Sequence, residues 1–442
     1  MIFKFLTYIR PVWYFNKARM DDSTVFPNPN DIPKEVWEQI EVDEGYISEM
    51  AIERDLAWQA HQKGYIGKSN TLKFSDRVPL IDEYRFVRKY HKKHWATYCL
   101  LMRLLSFCNP IKELSAWNKT RSIKQKAIFK KQLLVDWNSY SSSLVQKCPK
   151  ITIIIPTLNR YNYLKDVLLD LEKQDYSNFD VIIMDQSEPF NKSFYNQFQL
   201  DIHVEYQKEK ALWLARNMAI KKSDAMYYLL FDDDSRVNPD WISNHLKGLD
   251  YFNAAISSGQ SISKKDQKLP ENYSYFRIAD LLDTGNVLIK REVFESIGLF
   301  DRQFEKQRMG DGEFGMRAYL NGFLNISNPY ATRLHLKVKS GGLRQMGSWD
   351  AFRPKNIFAP KPIPSVLYLY RKYFGNNLAK WALIKSIPPS IIPYKFKKNK
   401  PLLVLGVLIS ILLFPLVLIQ IVNSWRQASI KLEHGPEIEK YG

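Results

Sequence analysis

Met226-Tyr227-Tyr228-Leu229-Leu230-Phe231-Asp232-Asp233-Asp234-Ser235 decides how the chain is read. The apolar run predicts a buried strand, and it ends in three adjacent carboxylates whose mutual repulsion a cation would relieve. The plainer alternative is a solvated acidic turn that caps the next helix, since Asp is common there. The rest of the chain has to decide between the two.

Upstream, Ile151 to Ile155 is a continuous β-branched run closed by Pro156, the form of a strand buried on both faces of a parallel sheet. After Thr157-Leu158-Asn159-Arg160, apolar residues recur at Leu164, Val167, Leu168 and Leu171, one face of a helix. Val181 to Met184 predicts the next strand, ending at Asp185, so the three elements make a βαβ unit with a right-handed crossover. His203 to Tyr206 predicts a third strand, and Lys210 to Lys222 a helix carrying Arg216 and Asn217. In such sheets ligands bind beyond the carboxyl ends of the strands, which is where the aspartates fall.

Downstream, Asp283-Thr284-Gly285-Asn286-Val287-Leu288-Ile289 predicts a glycine turn feeding a strand, then a short helix from Glu292 to Ile297. Gly310-Asp311-Gly312-Glu313 opens a helix that runs to Leu320 and stops at Asn321-Gly322. Asp311 on its own reads as a helix cap. His335, among alternating apolar residues, reads on its own as structural.

In this order, seven stretches resemble the family 2 glycosyltransferases of the GT-A fold. They are Ile154 to Arg160, the strand-terminal Asp185, Ala215-Arg216-Asn217, Asp232 to Asp234, Thr284 to Asn286, Gly298 to Asp301 and Asp311 to Arg317. The resemblance covers roughly residues 150 to 335. It implies that Pro156, Thr157, Asn159, Arg160 and Asp185 hold a nucleotide-sugar donor, with Arg216, Asp232 and Asp233 on its diphosphate side. It implies a Mg²⁺ or Mn²⁺ ion on Asp232 and Asp234, completed by His335, because hard carboxylate oxygens suit such ions. Gly285, Asn286 and Glu313 are implied on the acceptor side. Asp311 is implied as the base of an inverting transfer, with Glu313 as fallback; the family's Glu-Asp pair here reads Gly310-Asp311. Gln345-Met346-Gly347-Ser348-Trp349 approaches a Gln-x-x-Arg-Trp motif of processive synthases but lacks the arginine, which favours single-residue transfer.

The 442 residues carry 64 basic and 46 acidic side chains, a net charge of +18. That excess favours an anionic partner, yet no nucleic-acid-binding signature accompanies it. Three cysteines, none in a Cys-x-x-Cys pair, suggest neither a disulfide framework nor a zinc ribbon. Residues 1–147 predict a mainly helical extension of unknown role, and residues 148–350 the catalytic domain. Residues 351–400 predict an interfacial region and residues 425–442 a tail of mixed charge. Residues 401–424 contain the apolar run Leu402 to Val422, about 21 residues, enough for a membrane span; Pro415 inside it leaves a re-entrant or monotopic element open. Lys395, Lys397, Lys398 and Lys400 precede the run and predict that the long N-terminal part stays cytoplasmic; the resemblance implies a bacterial inner membrane. The expected activity is transfer of a sugar to a glycan or lipid-linked acceptor in surface polysaccharide synthesis. The competing expectation is a non-catalytic, GT-A-like membrane scaffold.

Overall fold

The computed structural model describes residues 2–67, 71–72, 77–126, 132–133, 135–265, 267–280, 282–338, 343, 356–392, 396 and 399–442. Gln345 to Trp349, and with it the synthase-like motif, lies outside the described residues. Among the described residues nine strands form one mixed sheet: β1 (Ile151–Thr157), β2 (Phe179–Asp185), β3 (Ile202–Tyr206), β4 (Tyr227–Phe231), β5 (Ser235–Val237), β6 (Ile256–Ile262), β7 (Arg277–Ile278), β8 (Asn286–Lys290) and β9 (Asn325–His335). The order is β3-β2-β1-β4-β8-β6-β9-β5, with β7 on β9.

The first four strands are parallel, and beyond β4 the sheet turns mixed: β8 runs antiparallel to β4 and β6, β6 parallel to β9, and β5 antiparallel to β9. Period-two alternation divides the core into two layers. Ile151, Ile153 and Ile155 point to one face of the sheet and Ile154 to the other.

An N-terminal layer comprises α1 (Leu6–Ile9), α2 (Lys34–Trp37), α3 (Glu49–Gln62), α4 (Leu80–Tyr90), α5 (Lys93–Leu105) and α6 (Pro110–Lys119). Then α7 (Ser143–Lys147) leads into β1. On one face of the sheet lie α8 (Tyr161–Leu171) and α10 (Trp241–Phe252); on the other lie α9 (Leu212–Lys222), α11 (Arg291–Ile297) and α12 (Gly310–Leu320). Behind them come α13 (Pro364–Ser386), α14 (Lys400–Leu412) and α15 (Phe414–His434). The N-terminal layer has its own aromatic core, with Phe3 stacked on Phe86 at 4.0 Å, and that core includes Met316 and Tyr319 of α12.

Two differences from the sequence reading have clear causes. α9 starts at Leu212, not Lys210, because Ala211 is extended and the Glu305 carboxylate accepts the N–H groups of Leu212, Trp213 and Leu214. A capping acid ninety residues away is invisible to local pattern. The apolar run Leu402 to Val422, long enough for a single span but with a kink or re-entrant turn left open by Pro415, is two helices bent by 86° at Leu413. Pro415, in the first turn of α15, has no N–H to continue α14. No single helix among the described residues is long and apolar enough to cross a membrane.

Candidate active site

The three aspartates follow β4, which lies between β1 and β8. The chain turns back at once into β5, whose register on β9 pairs Ser235 with His335. That pairing sets the imidazole beside Asp234, His335 Nε2 to Asp234 Oδ1 being 3.4 Å. Ligand atoms of Asp232, Asp234 and His335 all lie within 4.8 Å of one another. A tightly specified register thus brings together residues about a hundred positions apart.

Repulsion among the aspartates is offset by guanidinium groups. Asp232 accepts from Arg216 at 3.1 Å and from Arg333 at 2.8 Å, on different oxygens. Asp233 accepts from Arg160 and Thr157, both at 2.8 Å. Arg160 also lies 3.3 Å from Asp234. Burial pushes the Asp233 carboxyl up to about 6, against the pull of Arg160 and Thr157. Burial acts the same way on Asp234, but His335 and Arg160 prevail and hold it below the usual carboxylate value.

This cluster fits a divalent cation. A carboxylate has about four lone-pair sites, so the guanidinium bonds leave acceptor capacity. The side chain of Asp232 is 22% exposed and that of His335 14%, which leaves one side of the group open. Asp233, buried and bonded on both oxygens, braces the turn instead of facing a donor. A second acidic group, Asp180, Asp201 and His203, lies at the opposite strand ends, where Lys150 sits 2.9 Å from Asp180.

The remaining donor-side positions frame this turn. Pro156 and Thr157 end β1 beside Met184 and Asp185 of β2. Asn159 takes a left-handed conformation, φ 55°, and its side-chain carbonyl accepts from the Glu188 N–H. Asp185 is fully buried and accepts from Tyr161, Tyr195 and the Ser187 N–H, so it anchors the loop after β2.

Across the cluster, Gly285 allows close approach: a Cβ there would lie 2.1 Å from Asp232 Oδ2 and 2.3 Å from Arg333. Arg216 donates to Thr284 and to Asp232, and burial lowers its guanidinium below the usual value, with Asp232 and Asp311 opposing that effect. Asp311 lies half-buried in the first turn of α12, with Oδ1 accepting from Gly312 N–H at 2.8 Å, next to Gly310, which packs on Trp213 of the helix that carries Arg216.

Two acceptor-side expectations need correction. Asn286 is fully buried and is tied to Trp241, His245, Gln260 and Ala331, so it braces the sheet and presents nothing to an acceptor. Glu313 is equally buried, paired with Arg317 and Lys372 and hydrogen-bonded by Tyr373. Those cations hold it ionised against burial, and a carboxylate so engaged is a poor fallback base.

Two residues outside the expected set also build the site. Arg333, two before His335 on β9 and so on the same face of the strand, links Asp232 to Asp283. Period-two reasoning from His335 would have found it. Tyr14, from the N-terminal layer, is buried and donates its hydroxyl to the Gly312 carbonyl beside Asp311. No local signal marks that contact.

Residues 152–321 match the family described as glycosyl transferase family 2. Glycosyltransferase GlyA of Streptococcus pneumoniae is 26% identical over 165 residues, 36% of this chain and 22% of GlyA. Chondroitin synthase of Escherichia coli is 22% identical over 288 residues, 54% of this chain and 41% of the synthase. The chain thus spans less than half the length of either relative. Among solved structures, a mannosyltransferase from Pyrobaculum calidifontis, in complex with GDP-Man and Mn²⁺, aligns at 16% identity over 79% of this chain and 98% of its own, TM-score 0.41. Residues 152–321, which carry most of the mixed α/β sheet, are thus the part of this chain that matches the glycosyl transferase family 2 model.

Proposed function

We propose that the chain is an inverting glycosyltransferase that moves a sugar from a nucleotide-sugar donor to a glycan acceptor, lipid-linked, in surface polysaccharide synthesis on the cytoplasmic face of a membrane. The observation that carries the transfer chemistry is the convergence of Asp232, Asp234 and His335 at the end of β4. The other parts rest on the family match and on the apolar C-terminal segment.

Asp232, Asp234 and His335 would hold Mg²⁺ or Mn²⁺, which offsets the charge developing on a departing nucleoside diphosphate. Arg216 and Arg333 each hold one oxygen of Asp232 and fix its direction, so a diphosphate meets a preset charge pattern. Asp311 then takes the proton of the acceptor hydroxyl as that oxygen attacks the anomeric carbon opposite the leaving group. One displacement inverts that carbon. Arg317, Lys372 and Tyr373 hold Glu313 away from this role.

The test is a screen of nucleotide sugars with a glycan acceptor and Mn²⁺, run on the natural chain and on Asp311→Asn. Transfer by the natural chain, and donor binding without transfer by the variant, is the expected result. A chain that binds no nucleoside diphosphate would be the scaffold of the competing reading. A product with the donor's anomeric configuration would overturn Asp311 as a simple base.

A further inference from the structure

The apolar C-terminal segment is attached at both ends to the same body. Before it, Tyr368 of α13 donates to Asp301 at 3.1 Å, and Lys372 and Tyr373 reach Glu313 on α12. After it, Ser424 donates to the Pro362 carbonyl at 2.6 Å, and Arg371 stacks over Trp425 at 4.3 Å. The tail then crosses the catalytic domain. Glu437 N–H donates to Asp301, Leu299 N–H to the Glu439 carbonyl and Arg302 N–H to the Glu437 carbonyl, at 2.9 to 3.1 Å. Tyr441 meets Tyr228 hydroxyl to hydroxyl at 2.5 Å.

Between these attachments the surface is apolar. Ten large apolar side chains from Val404 to Val422 are 42–79% exposed. Exposure peaks near the bend, at Ile411 (63%), Leu412 (79%) and Phe414 (59%). α14 is tied to the segment before it on its inner face, where Gly406 at its middle lies against Ile392 and Ser410, one turn before the bend, donates to the Pro388 carbonyl. Its 13 residues extend about 20 Å, and Phe414 to Val422 about 13 Å, at 1.5 Å per residue. Neither covers the roughly 30 Å of a hydrocarbon core, and an 86° bend prevents their lengths from adding. Cations stand at both margins: Lys395, Lys397, Lys398 and Lys400 precede the apolar stretch in sequence, and exposed Arg426 follows it.

We infer that residues 400–422 are a re-entrant anchor that enters one leaflet of an anionic bilayer and returns to the face it entered from. Crossing would carry the tail to the far side, away from Asp301, Leu299 and Tyr228, and would break the contacts just described. The apolar tip seeks hydrocarbon, and the flanking cations meet anionic headgroups, each with a modest attraction that salt screens. Leu412, Leu413 and Phe414, as the tip, sit deepest. The inference does not rest on the transfer reaction; a chain that transferred nothing could still bind in this way.

Two measurements test it on the full chain. In flotation with vesicles of phosphatidylglycerol and phosphatidylcholine in equal parts, the natural chain rises with the lipid. Leu412→Asp combined with Phe414→Asp lowers the bound fraction about tenfold or more, with its melting temperature unchanged because both side chains face outward. Pure phosphatidylcholine holds the natural chain less well. For topology, Lys440→Cys in the tail and Lys173→Cys on the catalytic domain are placed singly in a chain with Cys108→Ser and Cys148→Ser. Both introduced thiols are expected to react with a membrane-impermeant maleimide in inverted membrane vesicles, and neither in spheroplasts. Labelling of the tail thiol and the catalytic-domain thiol from opposite faces would overturn the inference. So would flotation of the doubly substituted chain equal to that of the natural one. A natural chain that stays out of the lipid, or pairs its apolar tips into a stable dimer by light scattering, would overturn it too.

Discussion

The two sides of the site are built in different ways. The proposed donor side comes chiefly from the adjacent strands β1, β2 and β4 with the turns that end them, between Ile151 and Asp234, and is completed by His335 of β9. The proposed acceptor side draws on distant segments: Asp311 on α12, Gly285 before β8, and Tyr14 from the N-terminal layer. Local pattern specifies the first, because strand, helix and strand each announce themselves. Tertiary packing specifies the second, so its polar attachments carry what periodicity cannot.

If that division is right, substitutions on the two sides should separate chemistry from donor binding. The largest effect is expected from Asp311→Asn, which should lower kcat by about 10²–10⁴ while leaving nucleoside diphosphate affinity within about twofold. Single-turnover rates and calorimetry together check this, and a matching loss of affinity would merge the two sides.

The next effect lies in the layer that backs α12. Glu83 is buried beneath the N–H groups of Lys4 and Phe5, and burial prevails over those bonds to push its carboxyl up to about 7. Because the folded value lies above the unfolded one, its contribution to stability is full below about 4.5 and is lost as pH rises to about 7. Glu83→Gln imitates the neutral form. It should gain on the natural chain across that window by up to about 3 kcal/mol, read as a difference in melting temperature. An equal pH slope in both chains would show that burial does not govern this group.

Gly285→Ala tests the seam between the sides. Its Cβ would collide with Asp232 and Arg333, so the loop must move and Asp232 loses its fixed direction. A stability loss of about 1–3 kcal/mol is expected, with donor KM raised more than acceptor KM. The smallest effect belongs to Tyr14→Phe, which removes one buried hydrogen bond to Gly312 at a cost of about 1 kcal/mol. A several-fold fall in kcat with donor KM unmoved would place the N-terminal layer behind the base. An unchanged kcat would reduce Tyr14 to packing.

Much of the parallel half was legible in the chain. Ile151 to Ile155, the helical face Leu164 to Leu171 and the strand before Asp232 all stand where their patterns predict. His335 joins Asp234 through the β5–β9 register, which the family resemblance anticipated and periodicity alone did not. What stayed hidden depends on long-range partners: the carboxylate of Glu305 that starts α9, the arginines that neutralise Asp232 and Asp233, and the Tyr14 contact. Asn286 and Glu313 were assigned to an acceptor because residue type was visible and burial was not. Pro415 marks the break in the apolar run, whereas the tail's return to Asp301, on which the inferred re-entrant anchor rests, has no local signal.

The most direct test of the account is calorimetric titration of UDP and GDP, each with and without Mn²⁺, into the natural chain, Asp234→Asn and Asp311→Asn. The account predicts that one nucleotide binds only with Mn²⁺, that Asp311→Asn keeps this binding, and that Asp234→Asn loses it. Equal binding without the metal, or full binding by Asp234→Asn, would contradict the assignment of Asp232, Asp234 and His335 as a cation site that holds the donor.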